Sequence, residues 1–261
     1  MTQDKQSEWY DQWSMLSDEE QFLFEDWIAP NTLESFRDLD ILECGCGGGQ
    51  HTAFMAPFAK SVTAVDLNTI PIARQRCAEY DNVAFLEADI ATMDIKRSFD
   101  VVISIGVVHH TDDPDRTIAN LTRHVKPGGR LIVWVYSEEG NFLVRNVVEP
   151  IRRTFLTKLS RAALLTLSKA VTASLYPVVY SIYLLPLPFL PYYQYFGAFR
   201  RLSFGRNVVN VFDKLNAPQT EFINRARIEG WFGESRFDRV EIAPYRGVSY
   251  RASGVLRESW G

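Results

Sequence analysis

Cysteine is scarce in this sequence. Among 261 residues there are only three, Cys44, Cys46 and Cys77, and no CxxC pair. A disulfide framework needs a larger and even set, and Cys44 and Cys46 would need two further ligands to hold a structural zinc ion. Because neither arrangement is available, we expect a protein of a reducing compartment without a metal site.

A secretory signal and a basic charge balance are also missing. The first residues, MTQDKQSEWYDQW, have neither the basic start nor the apolar core of a signal peptide. The net charge of −4 gives no reason to expect nucleic acid as a partner. With 46% hydrophobic and 23% charged residues, the composition is that of a globular protein. We therefore predict a cytoplasmic protein, with a peripheral position at the inner membrane surface left open.

Acidic residues are scarce between Asn141 and Leu215, where ten Lys and Arg residues face only two acids, Glu149 and Asp213. Within this segment, residues 170–199 carry no charge, a length that would permit a membrane span. Four prolines break the helix that a span requires. They are Pro177, Pro186, Pro188 and Pro191. We interpret 141–215 as a basic, apolar helical lid that shapes a substrate pocket, with peripheral membrane contact or a homodimer interface as open alternatives.

Apolar strand-like runs alternate with helix-length connectors from Asp40 to Tyr136. The runs are rich in Val, Ile and Leu without strict alternation, as expected for strands buried on both faces. They are Ile41–Cys44, Ser61–Asp66, Val83–Leu86, Phe99–Ile105 and Arg130–Tyr136. Residues 126–129, KPGG, predict a turn before the fifth run. This alternation predicts a doubly wound, mostly parallel sheet of the α/β class.

The C-terminal part has a different pattern. A helical pattern over Thr220–Phe232 precedes two strand-like runs, Arg239–Ala243 and Gly247–Leu256, which a turn at 244–247 joins. Two strands this close, with no helix between them, must pair as an antiparallel hairpin. The ordinary dinucleotide-binding arrangement does not end in this way.

A glycine-rich turn, CGCGGGQ at 44–50, follows the first predicted strand. Such a turn lets backbone N–H groups approach a ligand at the positive end of the next helix. The dinucleotide motif GxGxxG would need glycine where this chain has Gln50. An acid at the end of the strand, Glu43, is unfavourable beside a pyrophosphate but suits a ligand with a positively charged amino-acid group.

These motifs make the chain similar to the class I S-adenosylmethionine-dependent methyltransferases, over Asp40–Tyr136 and again over Thr220–Leu256. The resemblance implies a Rossmann-like, mostly parallel seven-stranded sheet with a C-terminal antiparallel hairpin. Together with the helical lid after the fifth strand, we predict three parts: an N-terminal helical flap at 1–39, a cofactor-binding domain at 40–140 and 216–261, and the inserted lid at 141–215. The implied cofactor is S-adenosylmethionine, with S-adenosylhomocysteine as its product.

The resemblance assigns cofactor-binding residues to the ends of the first four strands. In the family, the acid at the end of the first strand and the glycine turn after it bind the methionine portion of the cofactor. The acid at the end of the second strand binds the ribose hydroxyls. An acid after the third strand, together with the residue that follows it, contacts the adenine. The fourth-strand end, in the segment SIGVVHHTDDP, lies beside cofactor and substrate. The residues are Glu43, Gly45, Cys46, Gly47, Asp66, Leu67, Asp89, Ile90, Ile105 and Gly106.

Two adjacent histidines, His109 and His110, follow the fourth strand, where a general base for an oxygen or carbon acceptor would lie. A neutral imidazole near pH 7 has a suitable proton affinity. His110 is the preferred base because it matches the usual histidine of the family. The alternative is that either ring packs at the sheet edge or bonds to the backbone. Asp112 and Asp113 are interpreted as caps of a helix that begins at Pro114 rather than as metal ligands.

Four residues outside the cofactor motifs are predicted to face the substrate. Trp13 and, less strongly, Gln12 belong to the aromatic start of the chain, which would form a flap; packing of a leading helix onto the sheet is the alternative. Tyr136 and Asp213 lie at the two junctions of the inserted segment. The remaining histidines, His51 and His124, are interpreted as structural or surface residues.

The predicted function is methyl transfer to an oxygen or carbon atom of a small-molecule or lipid-linked acceptor, such as a quinone, a glycan or a natural product. This acceptor class follows from the fourth-strand segment, which is similar to that of quinone- and natural-product-modifying enzymes. The segment lacks the Asn/Asp-Pro-Pro-aromatic motif of enzymes that methylate nucleic-acid amines. Protein methylation and a non-catalytic, cofactor-binding interaction subunit remain as alternatives.

Overall fold

The computed structural model describes residues 21–217 and 219–258, and Gln12 and Trp13 therefore lie outside the described residues. A seven-stranded sheet organises this part of the chain. Its strands are β1 Asp40–Cys44, β2 Ser61–Asp66, β3 Val83–Glu87, β4 Phe99–Ile105, β5 Val125–Tyr136, β6 Phe237–Tyr245 and β7 Ser249–Leu256. Their order across the sheet is β3-β2-β1-β4-β5-β7-β6. The first five strands pair in parallel, as predicted.

Helices lie on both faces of the sheet and between β5 and β6. They are α1 Gln21–Ile28, α2 Gln50–Met55, α3 Ile70–Arg76, α4 Pro114–Arg123, α5 Glu149–Thr154, α6 Arg161–Val179, α7 Tyr193–Phe199, α8 Phe204–Asn216 and α9 Arg225–Trp231. As predicted, the Asp113 carboxylate caps α4 by accepting a hydrogen bond from the Arg116 N–H.

The central strands are buried on both faces, which explains their continuous apolar runs. In β1, Ile41 packs in a core that includes Phe24 of α1, whereas the next residue, Leu42, packs in a second core with Leu121 of α4. Both β1 side chains are fully buried. Because neither face of these strands meets solvent, no polar alternation is needed.

The C-terminal hairpin is confirmed, since β6 pairs with β7 and β7 pairs with β5, both antiparallel. The predicted turn at 126–129 is wrong in extent: these residues belong to β5, where the register with β4 shifts between Phe99 and Val101. Gly128 takes a positive φ of 77° there, and Gly129 lies so close to the β4 backbone that a Cβ would come within 2.9 Å of the Asp100 carbonyl. The glycines therefore accommodate an irregularity in a strand rather than a reversal of the chain.

The helix before the hairpin is shorter than predicted. It begins after Asn224, whose side chain accepts a hydrogen bond from the Arg227 N–H. The preceding Ile223 is extended and forms a parallel bridge to Ser137. This bridge holds the segment before α9 against the end of β5. The candidate site lies at the same edge of the sheet.

The segment between β5 and α9 is helical. Helices α6 and α8 pack together, with Leu156, Leu164 and Phe212 buried at their contact. Among the described residues, α6 is the one helix that is long and apolar enough to cross a membrane, by length and composition alone. Its buried face, which includes Leu164 and Thr172, is already packed against protein.

Candidate functional site

The glycine turn after β1 is shaped first by contacts within the protein. Gly45 has a φ of 84°, and a Cβ placed there would lie 2.4 Å from the Val107 side chain beyond β4. Gly49, with a φ of 81°, approaches the backbone of Ala73 in α3, where a Cβ would come within 2.9 Å. A side chain at either position would therefore push apart two elements that meet at this edge.

A cavity of about 110 Å³ opens where the turn meets the ends of β2, β3 and β4. Six of the ten predicted cofactor residues line it: Gly45, Asp66, Leu67, Asp89, Ile90 and Gly106. The sequence prediction missed other lining residues: Asn68, Ala88, Ala91, Val107, Thr111 and Asp112. We call this space the nucleoside cavity, because carboxylates beside apolar walls suit the hydroxyls and base of a nucleoside.

Asp66, at the end of β2, joins the second strand to the glycine turn. Its Oδ2 atom accepts a hydrogen bond from the Gly47 N–H at 2.9 Å, and its Oδ1 atom accepts one from the Leu67 N–H at 2.8 Å. Asp89 holds its own turn in the same way, through the Ala91 N–H at 2.9 Å. Both carboxylates are therefore fixed in position, and each still lines the cavity.

Glu43 and Cys46 do not line the nucleoside cavity. Glu43 is buried at the end of β1, where its Oε2 atom accepts a hydrogen bond from the Thr52 hydroxyl. Burial raises the pKa of Glu43 to about 8. Cys46 is buried, and its N–H donates to the Val65 carbonyl at 3.0 Å. Contact of these two residues with the methionine portion stays a prediction.

A second cavity, of about 150 Å³, lies beside the first, and we call it the acceptor cavity. The sheet edge forms one wall, which includes Ile105, Gly106, His110, Trp134 and Tyr136. The opposite wall comes from α7 and α8 and includes Tyr195, Phe199, Arg206, Asp213 and Lys214. Two residues, Gly106 and His110, line both cavities. The two spaces therefore meet at the end of β4.

His110 is held at this meeting point by the backbone of the segment before α9. Its Nδ1 atom lies 2.7 Å from the Gln219 carbonyl oxygen. Since a carbonyl can only accept, Nδ1 carries the proton in the neutral ring and the lone pair is on Nε2. Burial lowers the pKa of His110, so the imidazole is neutral near pH 7.

His109 is less suited to be a base than the sequence alone indicated, because it lines neither cavity. The ring is fully buried, with its centroid 4.5 Å from that of Tyr136 and 4.2 Å from that of His110. Burial lowers the pKa of His109 well below its usual range. In this structure the ring supports His110 and Tyr136 from behind.

Tyr136 and Asp213, predicted as substrate-side residues, are brought together in the acceptor cavity. The Tyr136 hydroxyl donates a hydrogen bond to Asp213 Oδ2 at 2.9 Å. Burial, assisted by the Asp213 charge, raises the pKa of Tyr136, which stays a phenol. The ammonium of the next residue, Lys214, lies 5.1 Å from the centre of the Tyr136 ring.

The sequence prediction missed several residues of the acceptor cavity. His51, interpreted as structural or surface, lines it while stacking on Phe24 at 4.7 Å. Burial and the nearby Arg206 lower the pKa of His51 to about 3. Arg206 and Lys214 reach the site from α8, more than 60 residues beyond β5. No local pattern marks them, because only the packing of the inserted helices directs them to the sheet edge.

The comparison with known protein families agrees with this geometry. Residues 42–133 match the family described as "Methyltransferase domain". A ubiquinone biosynthesis O-methyltransferase of Rickettsia conorii is 33% identical over 98 residues, which are 36% of this chain and 34% of that protein. An uncharacterized methyltransferase of Mycobacterium bovis is 35% identical over 96 residues, which are 36% of this chain and 48% of that protein. The chain thus spans less than half the length of these curated relatives.

Solved structures share the fold. The magnesium protoporphyrin IX methyltransferase of Synechocystis PCC 6803, crystallised with bound S-adenosylhomocysteine, is 16% identical, with a TM-score of 0.54 over 96% of this chain and 95% of that chain. An O-methyltransferase family protein of Burkholderia thailandensis is 14% identical, with a TM-score of 0.54 over 92% of this chain and 57% of that chain. The chain therefore has the Rossmann-like fold of these methyltransferases, and the match to the methyltransferase domain family covers residues 42–133 of it.

Proposed function

We propose that this chain, which contains a methyltransferase domain, transfers the methyl group of S-adenosylmethionine to an oxygen or carbon atom of a small-molecule acceptor. The observation that carries the proposal is the meeting of two cavities at Gly106 and His110. Asp66 and Asp89 offer carboxylates to a nucleoside in the first cavity, and the second has room for an acceptor. A methyl donor and an acceptor bound in this way would meet beside one imidazole.

The residues of the site would act mainly by position. The bound cofactor supplies an electrophilic methyl group, and in-line alignment of donor and acceptor can contribute roughly 7–11 kcal/mol to lowering the barrier. Gly106 has a φ of 78° and no side chain, which leaves the passage between the cavities open. The aromatic rings of Trp134 and Tyr136, which line the acceptor cavity, would help a bound acceptor to displace water.

His110 is the candidate general base. Its protonated Nδ1 is bonded to the Gln219 carbonyl, so Nε2 is the atom that can take a proton from the acceptor. The lowered pKa keeps the ring ready for this role at neutral pH. A base is needed when the acceptor is a poorly ionised hydroxyl or an acidic carbon, which favours O- or C-methylation.

The lining of the acceptor cavity supports an acceptor with a flat apolar body. Trp27, Trp134, Tyr136, Tyr195 and Phe199 provide aromatic surface, which packs well against rings and polyene chains. Quinones and aromatic natural products fit this description, and so does the ring of a lipid-linked acceptor. The similarity to the ubiquinone biosynthesis O-methyltransferase of Rickettsia conorii supports the first of these classes.

The test is transfer of labelled methyl groups. Purified full-length protein is incubated with methyl-labelled S-adenosylmethionine and a lysate from cells that lack the gene, and small molecules, lipids and proteins are then separated. We expect label in the small-molecule or lipid fraction, and less of it with His110→Ala. Label confined to proteins would favour protein methylation instead. If the protein binds S-adenosylhomocysteine but no fraction becomes labelled, the result would favour the alternative of a non-catalytic, cofactor-binding subunit.

A further inference from the structure

The exposed apolar side chains of the protein are concentrated in one segment. Among the described residues, every large hydrophobic side chain that is exposed lies between Phe142 and Phe204, apart from Leu86. Soluble monomers rarely expose a large contiguous apolar area unless it contacts something. The outer surface of the inserted helices is therefore a candidate interaction surface.

The first part of this surface has an inverted arrangement of polar and apolar residues. The helical stretch 142–154 and the turn after it expose large hydrophobic side chains at a spacing of four residues. They are Leu143, Val147, Ile151, Phe155 and Leu159, with Phe142 beside the first. On the inner side, Arg152 is buried and donates to Glu149 at 2.6 Å. A helix with a buried ion pair and exposed apolar side chains is stabilised when an apolar medium covers the exposed side. We call the exposed set the outer stripe.

A second exposed group lies next to the outer stripe. The end of α6 and the loop after it expose Val178, Tyr180, Ile182, Leu184, Leu185 and Phe189, the last with 77% of its surface accessible. The Tyr192 phenol at the end of this loop lies beside the backbone of Leu143 and Val144. The end of this loop therefore lies close to the beginning of the outer stripe.

The inserted segment itself contributes mainly positive charge to this surface. The segment 141–215 has ten basic residues and two acids, and seven of the basic residues remain after the buried Arg152 and the cavity-lining Arg206 and Lys214 are set aside. Both acids are engaged on the inner side: Glu149 bonds to Arg152 and Arg153, and Asp213 accepts the Tyr136 hydroxyl. Exposed cations, including Lys158 and Lys169, remain on the outside without balancing carboxylates from this segment.

We propose that the outer stripe and the adjoining loop dock on the surface of a bilayer that contains anionic phospholipid. Apolar side chains flanked by Lys and Arg are the combination that binds such a surface, with rings and aliphatic groups in the interface and cations at the headgroups. A second copy of the chain is disfavoured as the occupant, because two basic surfaces would face each other. The proposal concerns a surface away from the two cavities, so it stands apart from the proposed reaction.

Vesicle sedimentation tests the docking of the full chain. We expect binding to vesicles of phosphatidylcholine mixed with phosphatidylglycerol, and much weaker binding to phosphatidylcholine alone. Raising the salt concentration about tenfold should reduce binding, since it screens the contribution of the cations. No binding to either vesicle at low salt would overturn the proposal.

Variants locate the docking surface. Ile151→Asp combined with Phe155→Asp should reduce vesicle binding about tenfold or more, because two charged groups replace apolar groups in the interface. Leu86→Asp is the matched control, since Leu86 is exposed on β3, outside the inserted segment, and should leave binding unchanged. Affinity for S-adenosylhomocysteine, measured by calorimetry, should be the same in all three proteins, which shows that they are folded.

Two results would contradict the location. One is equal vesicle binding by wild-type protein and the Ile151→Asp, Phe155→Asp variant. The other is a wild-type dimer in size-exclusion chromatography that this variant dissociates, with no vesicle binding by either, which would make the stripe an interface between copies. Failure of the methyl-transfer assay leaves these measurements unaffected, so the two proposals fail separately.

Discussion

The hydroxyl of Tyr136 and the carboxylate of Asp213 form a hydrogen bond of 2.9 Å that joins the end of β5 to α8. These residues are 77 positions apart, and the bond spans the two sides of the acceptor cavity. The inserted segment is thus fastened to the sheet at the point where an acceptor would bind.

Replacement of Tyr136 by Phe should weaken this attachment of the inserted segment to the sheet. The variant keeps the ring but loses one charge-assisted hydrogen bond, which we expect to lower the free energy of unfolding by about 1.5–3 kcal/mol. Chemical denaturation measures the change. Tyr183→Phe is the control, because the Tyr183 hydroxyl bonds to the Pro191 carbonyl in an exposed position and should matter less. An equal decrease in the free energy of unfolding of both variants would show that the buried hydrogen bond stabilises the protein no more than the exposed one.

Asp66→Ala should weaken the binding of S-adenosylhomocysteine by at least about tenfold, since it removes a carboxylate from the nucleoside cavity and the Gly47 contact that shapes the turn. Isothermal calorimetry gives the affinity. Asp81→Ala, an exposed acid between α3 and β3, serves as the matched control. Unchanged affinity in Asp66→Ala would remove this residue from the site.

Loss of the candidate base should affect the rate more than cofactor binding. We expect His110→Ala to lower kcat roughly 10²–10⁴-fold on an oxygen or carbon acceptor. Because burial lowers the pKa of His110, the wild-type rate should persist below pH 6.5 and fall only when the ring becomes protonated. The residual activity of His110→Ala should therefore not show this fall in rate at low pH. The same fall in both proteins would assign the titration to another group.

Gly45→Ala should destabilise the protein by a few kcal/mol, because it combines a positive φ with a clash against Val107. The second change Val107→Ala should recover part of the loss by removing the clashing methyl groups. Gly230→Ala is the control, since nothing lies within 4 Å of a Cβ at that position in α9. Thermal or chemical unfolding of the four proteins tests the set. If Val107→Ala restores none of the stability lost in Gly45→Ala, the positive φ at this position rather than the clash is the main cause of the loss.

Glu43 should make stability depend on pH. Its pKa is raised to about 8 from a usual value near 4.5, so the native state retains a proton that the unfolded state has lost between these values. This contribution is fully present below pH 4.5 and is lost as the pH rises to 8, at up to about 1.4 kcal/mol per pH unit. Glu43→Gln, which resembles the protonated acid, should flatten the stability profile in this range. An unchanged profile would mean that Glu43 is ionised in the native protein.

Local rules explain why residues predicted from the sequence to bind the nucleoside lie together at one cavity. Asp66 ends β2, Asp89 follows β3 and Gly106 follows β4, and parallel strands bring their carboxyl ends to one edge of the sheet. The same rule predicted the position of His110. The structure adds the reason for Gly45, which the sequence could relate only to a ligand: the turn must pass close to Val107.

The acceptor half could not be predicted in the same way. Arg206 and Lys214 reach the cavity only because α8 packs across the end of β5, and this packing depends on contacts between distant residues. His51 follows the glycine turn closely, yet its side chain faces the acceptor cavity because it stacks on Phe24 of α1. Tertiary packing rather than spacing directs these side chains.

The two cavities draw on different stretches of chain: the nucleoside cavity is lined by residues 45–112, whereas a whole wall of the acceptor cavity comes from α7 and α8. This division makes the inserted helices an exchangeable module. Under the proposed function, a chimera that takes its 141–215 segment from a relative would acquire a different acceptor cavity and keep its nucleoside cavity, so that acceptor specificity could change without a change in the donor site.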